Sequence, residues 1–147
     1  MSDNLKLENQ ICFKYYVISK EIIRKYKPIL DPLGLTYTGY ITMLVLWEEE
    51  GLSVKELSDR LFLDSGTLTP LLKSLERKGF ITRKRTEEDE RVVKIYLTNK
   101  GQLLKKDAEE VPFKLVNNIF KDQQVDEKDM KDHIDTLNEL MGTLVSN

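Results

Sequence analysis

The stretch from Leu52 to Leu97 constrains the fold more than any other part of the chain, because it marks its own boundaries. Ser53, Val54, Lys55 and Glu56 form a capping box, in which the Ser53 hydroxyl accepts from the Glu56 N–H while the Glu56 carboxylate reaches back. A helix is expected to start there, with Val54, Leu57, Leu61 and Phe62 on one side. Leu63-Asp64-Ser65-Gly66 breaks that pattern and offers new caps in Asp64 and Ser65. In the helix that follows, Leu68, Leu71, Leu72 and Leu75 recur at i, i+3, i+4 and i+7 and form one buried stripe. Pro70 lacks an N–H, which costs little only within about the first turn, so the start of this helix is fixed to a residue or two. Gly79 supplies the C-terminal stop.

Phe80 to Arg85 and Val92 to Leu97 are β-branched or aromatic runs flanking Thr86-Glu87-Glu88-Asp89-Glu90-Arg91, the pattern of a hairpin whose tip projects from the body. Two short capped helices followed by such a hairpin are the order of a winged helix-turn-helix. Between Lys73 and Arg85 there are six cations and one anion, Glu76, a local net charge of +5 in a chain whose overall charge is −2. A local basic patch, not the sum, decides whether a surface suits nucleic acid.

The face of the second helix opposite its leucines carries Gly66, Pro70, Lys73 and Arg77, flanked by Thr69 and Ser74, and Ser65 and Thr67 stand at its start. Small and hydroxyl residues let a helix approach base edges, and the cations beyond meet phosphates. Arg83, Lys84 and Arg85 extend the basic surface along the first strand. In extended chain Asp89 and Arg91 point the same way, so the carboxylate can orient the guanidinium, and Arg91 is a candidate for minor-groove insertion. A helix-turn-helix with a hairpin also serves as a protein-docking module, which stays open at this point.

Leu63 to Lys73, Arg83-Lys84-Arg85 and Glu88-Asp89-Glu90-Arg91, together with Gln10-Ile11-Cys12-Phe13 and Leu35-Thr36-Tyr37, resemble the MarR family of regulators, and within it the one-cysteine oxidation-sensing branch typified by OhrR, MgrA and SarZ. The likeness runs to about Lys100. It implies a homodimer that binds a pseudo-palindromic double-stranded DNA operator and is not an enzyme.

The flanks suit such a dimer. Leu7, Ile11, Tyr15, Ile18 and Ile22 recur at helical spacing before Pro28 and Pro32 break the pattern, and a helix from Thr36 to about Glu50 follows. Thr98 or Asn99 opens another that runs toward Phe120, with Pro112 as kink or boundary. Asp126 caps the last, where Met130, Ile134, Leu137, Met141, Leu144 and Val145 form an apolar seam. One small domain has too little surface to bury both terminal helices, so pairing with a second copy is expected. The expected organisation is a single unit over 1–147: helical dimerisation segments at 1–35 and 100–147 and a winged helix-turn-helix at 36–98. The fold class is mainly α with a small β-hairpin wing.

At 147 residues, 40% hydrophobic and 33% charged, the chain fits one compact domain with helical extensions. Its most apolar stretch, Ile41 to Trp47, is far short of the ~20 residues of a membrane span, and Met1 to Gln10 lacks the apolar core of a signal peptide. One cysteine excludes an internal disulfide framework, so a reducing cytoplasm and no membrane partner are expected.

Cys12 reads two ways. A lone helical cysteine is ordinarily a small buried hydrophobe. A reactive thiol needs donors or positive charge nearby, and on the spacing above Cys12 lies too far into its helix for the terminal dipole to supply them. The resemblance implies that Cys12 is the sensor and that Tyr26 and Tyr37 hold it through their hydroxyls. Cys12 and Tyr26 are separated by roughly 21 Å of helix rise, so that contact requires the Tyr26 of a partner subunit. Tyr15, Tyr16 and Tyr40 are further aromatic neighbours. Oxidant attack gives a sulfenic acid, and with no second cysteine the intersubunit disulfide is closed, leaving a mixed disulfide with a low-molecular-weight thiol, or overoxidation.

An enzyme would need a nucleophile and base, and Cys12 with His133 is the one conventional pair; His133 stands among Lys131, Asp132 and Asp135 on the final helix, a solvated setting. No metal-ligand spacing or glycine-rich phosphate loop is present, so no cofactor or metal is expected. The alternative within the resemblance is a regulator controlled by a small phenolic or aromatic ligand between the helices, with Cys12 structural.

Overall fold

The breaks at Ser53, Leu63–Gly66 and Gly79 coincide with boundaries in the computed structural model, which describes residues 3–121 and 126–145. Short 3-10 turns over Asp3–Leu5 and Leu7–Asn9 precede α1 (Ile11–Leu30), and another over Asp31–Leu33 leads to α2 (Tyr37–Glu48), capped by the Thr36 hydroxyl on the Gly39 N–H. Then come β1 (Leu52–Ser53), α3 (Val54–Leu61), α4 (Ser65–Arg77), β2 (Ile81–Arg85), β3 (Val93–Leu97), α5 (Asn99–Ala108), α6 (Val111–Ile119) and α7 (Glu127–Val145). Contacts divide the chain into two units, residues 1–115 and 116–147.

The capping box is present in full, with the Glu56 N–H donating to the Ser53 hydroxyl at 3.1 Å and the Ser53 N–H to the Glu56 carboxylate at 2.9 Å. Asp64 caps α4 through the Thr67 N–H at 2.7 Å, and this backbone bond holds its carboxyl below the usual carboxylate range. At the other end Gly79 takes φ +82°, the Phe80 N–H bonds the Leu75 carbonyl and the Gly79 N–H that of Glu76, a Schellman closure. Leu68, Leu72 and Leu75 are buried as the stripe required, with Leu71 half-buried. They meet Met43 and Leu46 of α2, Leu57 of α3 and Ile81 and Ile95 of the sheet in one core.

Several sequence expectations are corrected. The first long helix starts at Ile11, not at Leu7, and Pro28 does not end it. Pro28 is exposed, so the Arg24 carbonyl it leaves unpaired faces solvent, while the extra turn buries Leu30. Pro70, likewise exposed, is the sixth residue of α4 and not in its first turn. Phe62 lies beyond α3 rather than on its inner side, in the left-handed region at φ 54° and 60% exposed. The hairpin has a third member that the reading missed: β1 joins β3, with Leu52 opposite Ile95, in an antiparallel sheet of order β1-β3-β2. Two residues are too few for an alternating pattern to register. The helix expected from Asn99 toward Phe120 is two, broken at Glu109 and Glu110, with Pro112 second in α6.

Gly101 on α5 packs so closely that an added Cβ would stand 2.1 Å from the Phe80 carbonyl oxygen, and its own carbonyl accepts the Trp47 indole N–H at 2.9 Å. This ties α5 to both the sheet and α2. In the second unit the Asp126 carboxylate accepts the Lys128 N–H at 3.0 Å at the start of α7, whose Ile134, Met141, Leu144 and Val145 are exposed. Among the described residues no single helix is long and apolar enough to cross a membrane, and no cluster of three or more His, Cys, Asp or Glu suits a metal ion.

Candidate nucleic-acid interface and thiol site

The outer face of α4 exists because its leucines are committed to the core. Ser65, Gly66, Thr67, Pro70, Lys73 and Arg77 are exposed along it and Thr69 is half-buried. The N-terminal end presents a small-residue surface with the amide groups of the first turn, and the cations follow toward the C-terminal end.

Beside the shared core, a polar contact holds the wing to this helix. Glu76, in the last turn of α4, accepts from Arg83 Nη2 at 3.0 Å, Nε at 3.2 Å and the backbone N–H at 3.3 Å. The Arg83 side chain holds the Glu76 carboxyl below its ordinary range, chiefly by hydrogen bonding. Arg83 is thus half-buried and engaged, whereas Lys84 and Arg85 are exposed. The Lys84 ammonium lies 5.4 Å from the centre of the Tyr96 ring, and Arg85 Nη1 donates to the Glu90 carbonyl at 2.7 Å.

The tip is ordered by its own short bonds. The Thr86 hydroxyl donates to the Asp89 carbonyl at 2.6 Å and accepts the Asp89 N–H at 3.0 Å. Asp89 Oδ1 accepts the Arg91 backbone N–H at 3.0 Å and Nε at 3.2 Å. The pairing expected of Asp89 and Arg91 therefore occurs, but in a turn closed by the Val92 N–H on the Asp89 carbonyl, not in extended chain. Arg91 is left 91% exposed at the apex.

Cys12 is exposed and is the second residue of α1. The expectation that it lies too deep for the helix end to matter is overturned, because α1 begins later than the apolar spacing suggested. Among the described residues its thiol has no hydrogen-bond partner. Tyr26 and Tyr37 come together instead, with ring centres 4.8 Å apart, and the Tyr40 ring stands 5.7 Å from that of Tyr26. Burial, then the neighbouring Tyr37 and Tyr40, pushes the Tyr26 phenol up to about 12, so it remains a proton donor at neutral pH. Burial raises Tyr40 as well. Ile23, Arg24, Lys27 and Leu30 wall a hollow of about 250 Å³ over Tyr26 and Tyr37, and neither phenol hydroxyl is hydrogen-bonded among the described residues. Cys12 lies on the same helix as Tyr26 but roughly 21 Å away along it.

The role of Glu76 was not read from the sequence, although a lone carboxylate within a run of cations was the available signal. Tyr40 was only one of several aromatic neighbours there, and the ring contact with Tyr26 singles it out.

Residues 24–108 match the family model described as transcriptional regulator SarA/Rot. The chain is 49% identical over 139 residues to the organic hydroperoxide resistance transcriptional regulator of Bacillus subtilis (strain 168), covering 95% of this chain and 94% of that one. It belongs to the SarA/Rot-type regulators of the MarR family. It is also 51% identical over 121 residues to the HTH-type transcriptional regulator SarZ of Staphylococcus saprophyticus, with 82% of each chain covered. Among solved structures it is similar to AbfR, a Staphylococcus epidermidis protein. Reduced AbfR bound to DNA superposes with a TM-score of 0.80 at 30% identity over 98% of both chains, and overoxidised AbfR bound to DNA with 0.74 at 31% over 97% and 98%. The two sequence relatives are named transcriptional regulators, and the mostly helical fold with a winged sheet is that of AbfR.

Proposed function

We propose that the chain acts as a homodimeric regulator that holds a pseudo-palindromic DNA operator through α4 and the wing and releases it when Cys12 is oxidised. The observation that carries this reading is that Cys12 lies roughly 21 Å along α1 from Tyr26, whose ring meets Tyr37 of α2, a gap that a second copy can close. The same helix exposes Ile11, Phe13, Tyr15, Ile18 and Ile22, so on α1 the apolar surface that needs covering is the one that bears the thiol; α7, in the second unit, exposes an apolar seam of its own.

On DNA, Ser65, Gly66, Thr67, Thr69 and Pro70 approach base edges in the major groove. Lys73, Arg77, Lys84 and Arg85 meet phosphates, and Arg91, oriented by Asp89, enters the minor groove. For the switch, the Cys12 thiolate attacks an oxygen of an organic hydroperoxide; the O–O bond breaks, the alcohol leaves with a proton, and the sulfur becomes a sulfenic acid. A low-molecular-weight thiol then displaces water to give a mixed disulfide. Because AbfR is found on DNA when overoxidised as well as when reduced, release is assigned here to the mixed disulfide, a larger group than an oxidised thiol alone. A reducing cytoplasm suits this chemistry.

A gel shift of the protein on the duplex upstream of its own gene, with and without an organic hydroperoxide and a small thiol, tests the reading: binding when reduced and loss when oxidised are expected, and binding in neither state rejects it. One observation favours a second reading. Tyr40, Leu44, Trp47, Lys105 and Pro112 border a hollow of about 320 Å³ that would take a small aromatic ligand, with Cys12 then inert. Release by such a ligand and not by peroxide would select it.

A further inference from the structure

Glu76 is out of place on two counts. A carboxylate in the last turn of a helix meets the negative end of the helix dipole, and this one sits among Lys73, Arg77, Lys78, Arg83, Lys84 and Arg85, on the side proposed to face DNA. What offsets both is the three-bonded contact with Arg83. The sheet order β1-β3-β2 makes β2 an edge strand, and the Thr86 N–H bonds Val92 in the ladder. By antiparallel alternation the Arg83 N–H then turns away from β3, where Glu76 accepts it at 3.3 Å. The guanidinium fork closes on the other carboxylate oxygen at 3.0 and 3.2 Å. One carboxylate thus fastens both the backbone and the side chain of the wing's first strand to the recognition helix.

We infer that the Glu76–Arg83 clamp is a specificity-determining strut that fixes the wing tip relative to α4, so that the two elements read one duplex in register. Arg83 is then a positioning residue and not a phosphate contact. From Arg83 the strand runs two residues to Arg85, which grips the Glu90 carbonyl at 2.7 Å, and the tip turn carries Arg91. Releasing the clamp lets α4 and Arg91 bind DNA separately but no longer together. This inference rests on the DNA-binding reading, and the two make different demands on one experiment.

The sign of the effect separates a strut from a mere charge. Removing a negative charge from a DNA-facing surface should tighten all binding, specific and non-specific alike. Removing a strut should weaken operator binding alone. Reduced wild-type, Glu76→Gln and Arg83→Lys proteins are titrated, at two salt concentrations, with the duplex upstream of the protein's gene and with a shuffled duplex of equal length and composition. Circular dichroism checks that each variant is folded.

For Glu76→Gln the expected result is unchanged or slightly tighter binding to the shuffled duplex and about tenfold weaker binding to the upstream duplex. Arg83→Lys keeps the charge but loses the fork, so it should show the same loss of discrimination with an unchanged salt slope, and the double variant should lose no more than either single one. Tighter binding of Glu76→Gln to both duplexes, or full discrimination in Arg83→Lys, overturns the strut. Failure of the wild type to prefer the upstream duplex overturns the DNA-binding reading itself, and the strut falls with it.

Discussion

The Tyr26 ring lies 4.8 Å from the Tyr37 ring within one subunit, while Cys12, on the same helix as Tyr26, is exposed with no hydrogen-bond partner among the described residues. If the phenols of one copy hold the thiol of the other, Tyr26→Phe or Tyr37→Phe removes a charge-assisted donor and keeps the ring. Reaction of Cys12 with hydroperoxide at neutral pH should slow on the order of tenfold. A heterodimer of one Cys12→Ser chain and one Tyr26→Phe chain keeps an intact tyrosine facing its single thiol and should react at the wild-type rate. An equally slow heterodimer would place the hydroxyl's action within one chain.

Burial holds the Tyr26 phenol at about 12 against an ordinary value of 10.0. The folded state therefore favours the neutral phenol: the associated stability is complete below pH 10 and is lost as pH rises from there toward 12. Ultraviolet titration should show late phenol absorbance, to which Tyr26 and Tyr40 both contribute, that falls by one tyrosine in Tyr26→Phe, and the variant should lose less stability than wild type over that alkaline window. Titration of every phenol near pH 10 would contradict the packed cluster.

Gly101→Ala should destabilise the protein by about 1–3 kcal/mol, because the new methyl must displace the Phe80 carbonyl and gains in helix propensity are smaller than that overpacking. Denaturant unfolding measures it. Stabilisation, as alanine gives at an open helical glycine, would mean that α5 does not pack on Phe80 as described.

Much of this was legible in the chain. The caps at Ser53 and Asp64, the leucine stripe of α4 and the glycine stop at Gly79 are local features whose physics acts over a few residues, and each appears where it was read. What was not legible depends on partners distant in sequence. Pro28 and Pro70 sit inside helices because tertiary burial of Leu30 and of the α4 leucines outweighs a missing backbone bond on an exposed face. β1 exists only because β3 offers it an edge. Glu76 carries no local mark of the strand it grips, and the place of Cys12 in the first turn followed from a helix start that the run of apolar residues through Leu7 had concealed. The tyrosine roles came from the family resemblance, and the structure contributes their contact.

Arg91→Ala should weaken binding to the upstream duplex by roughly 1–3 kcal/mol at matched ionic strength, whereas Lys84→Ala should mainly flatten the salt dependence. Fluorescence anisotropy at several salt concentrations distinguishes the two. Normal affinity in the Arg91 variant would remove the wing tip from the interface.

The most direct measurement compares wild type with Cys12→Ser in operator binding before and after treatment with organic hydroperoxide and a small thiol. Serine is nearly isosteric with cysteine, so the variant should fold, pair and bind as tightly as reduced wild type, yet remain bound at a peroxide dose that releases wild type. If the serine variant dissociates at the same dose, Cys12 is not the switch.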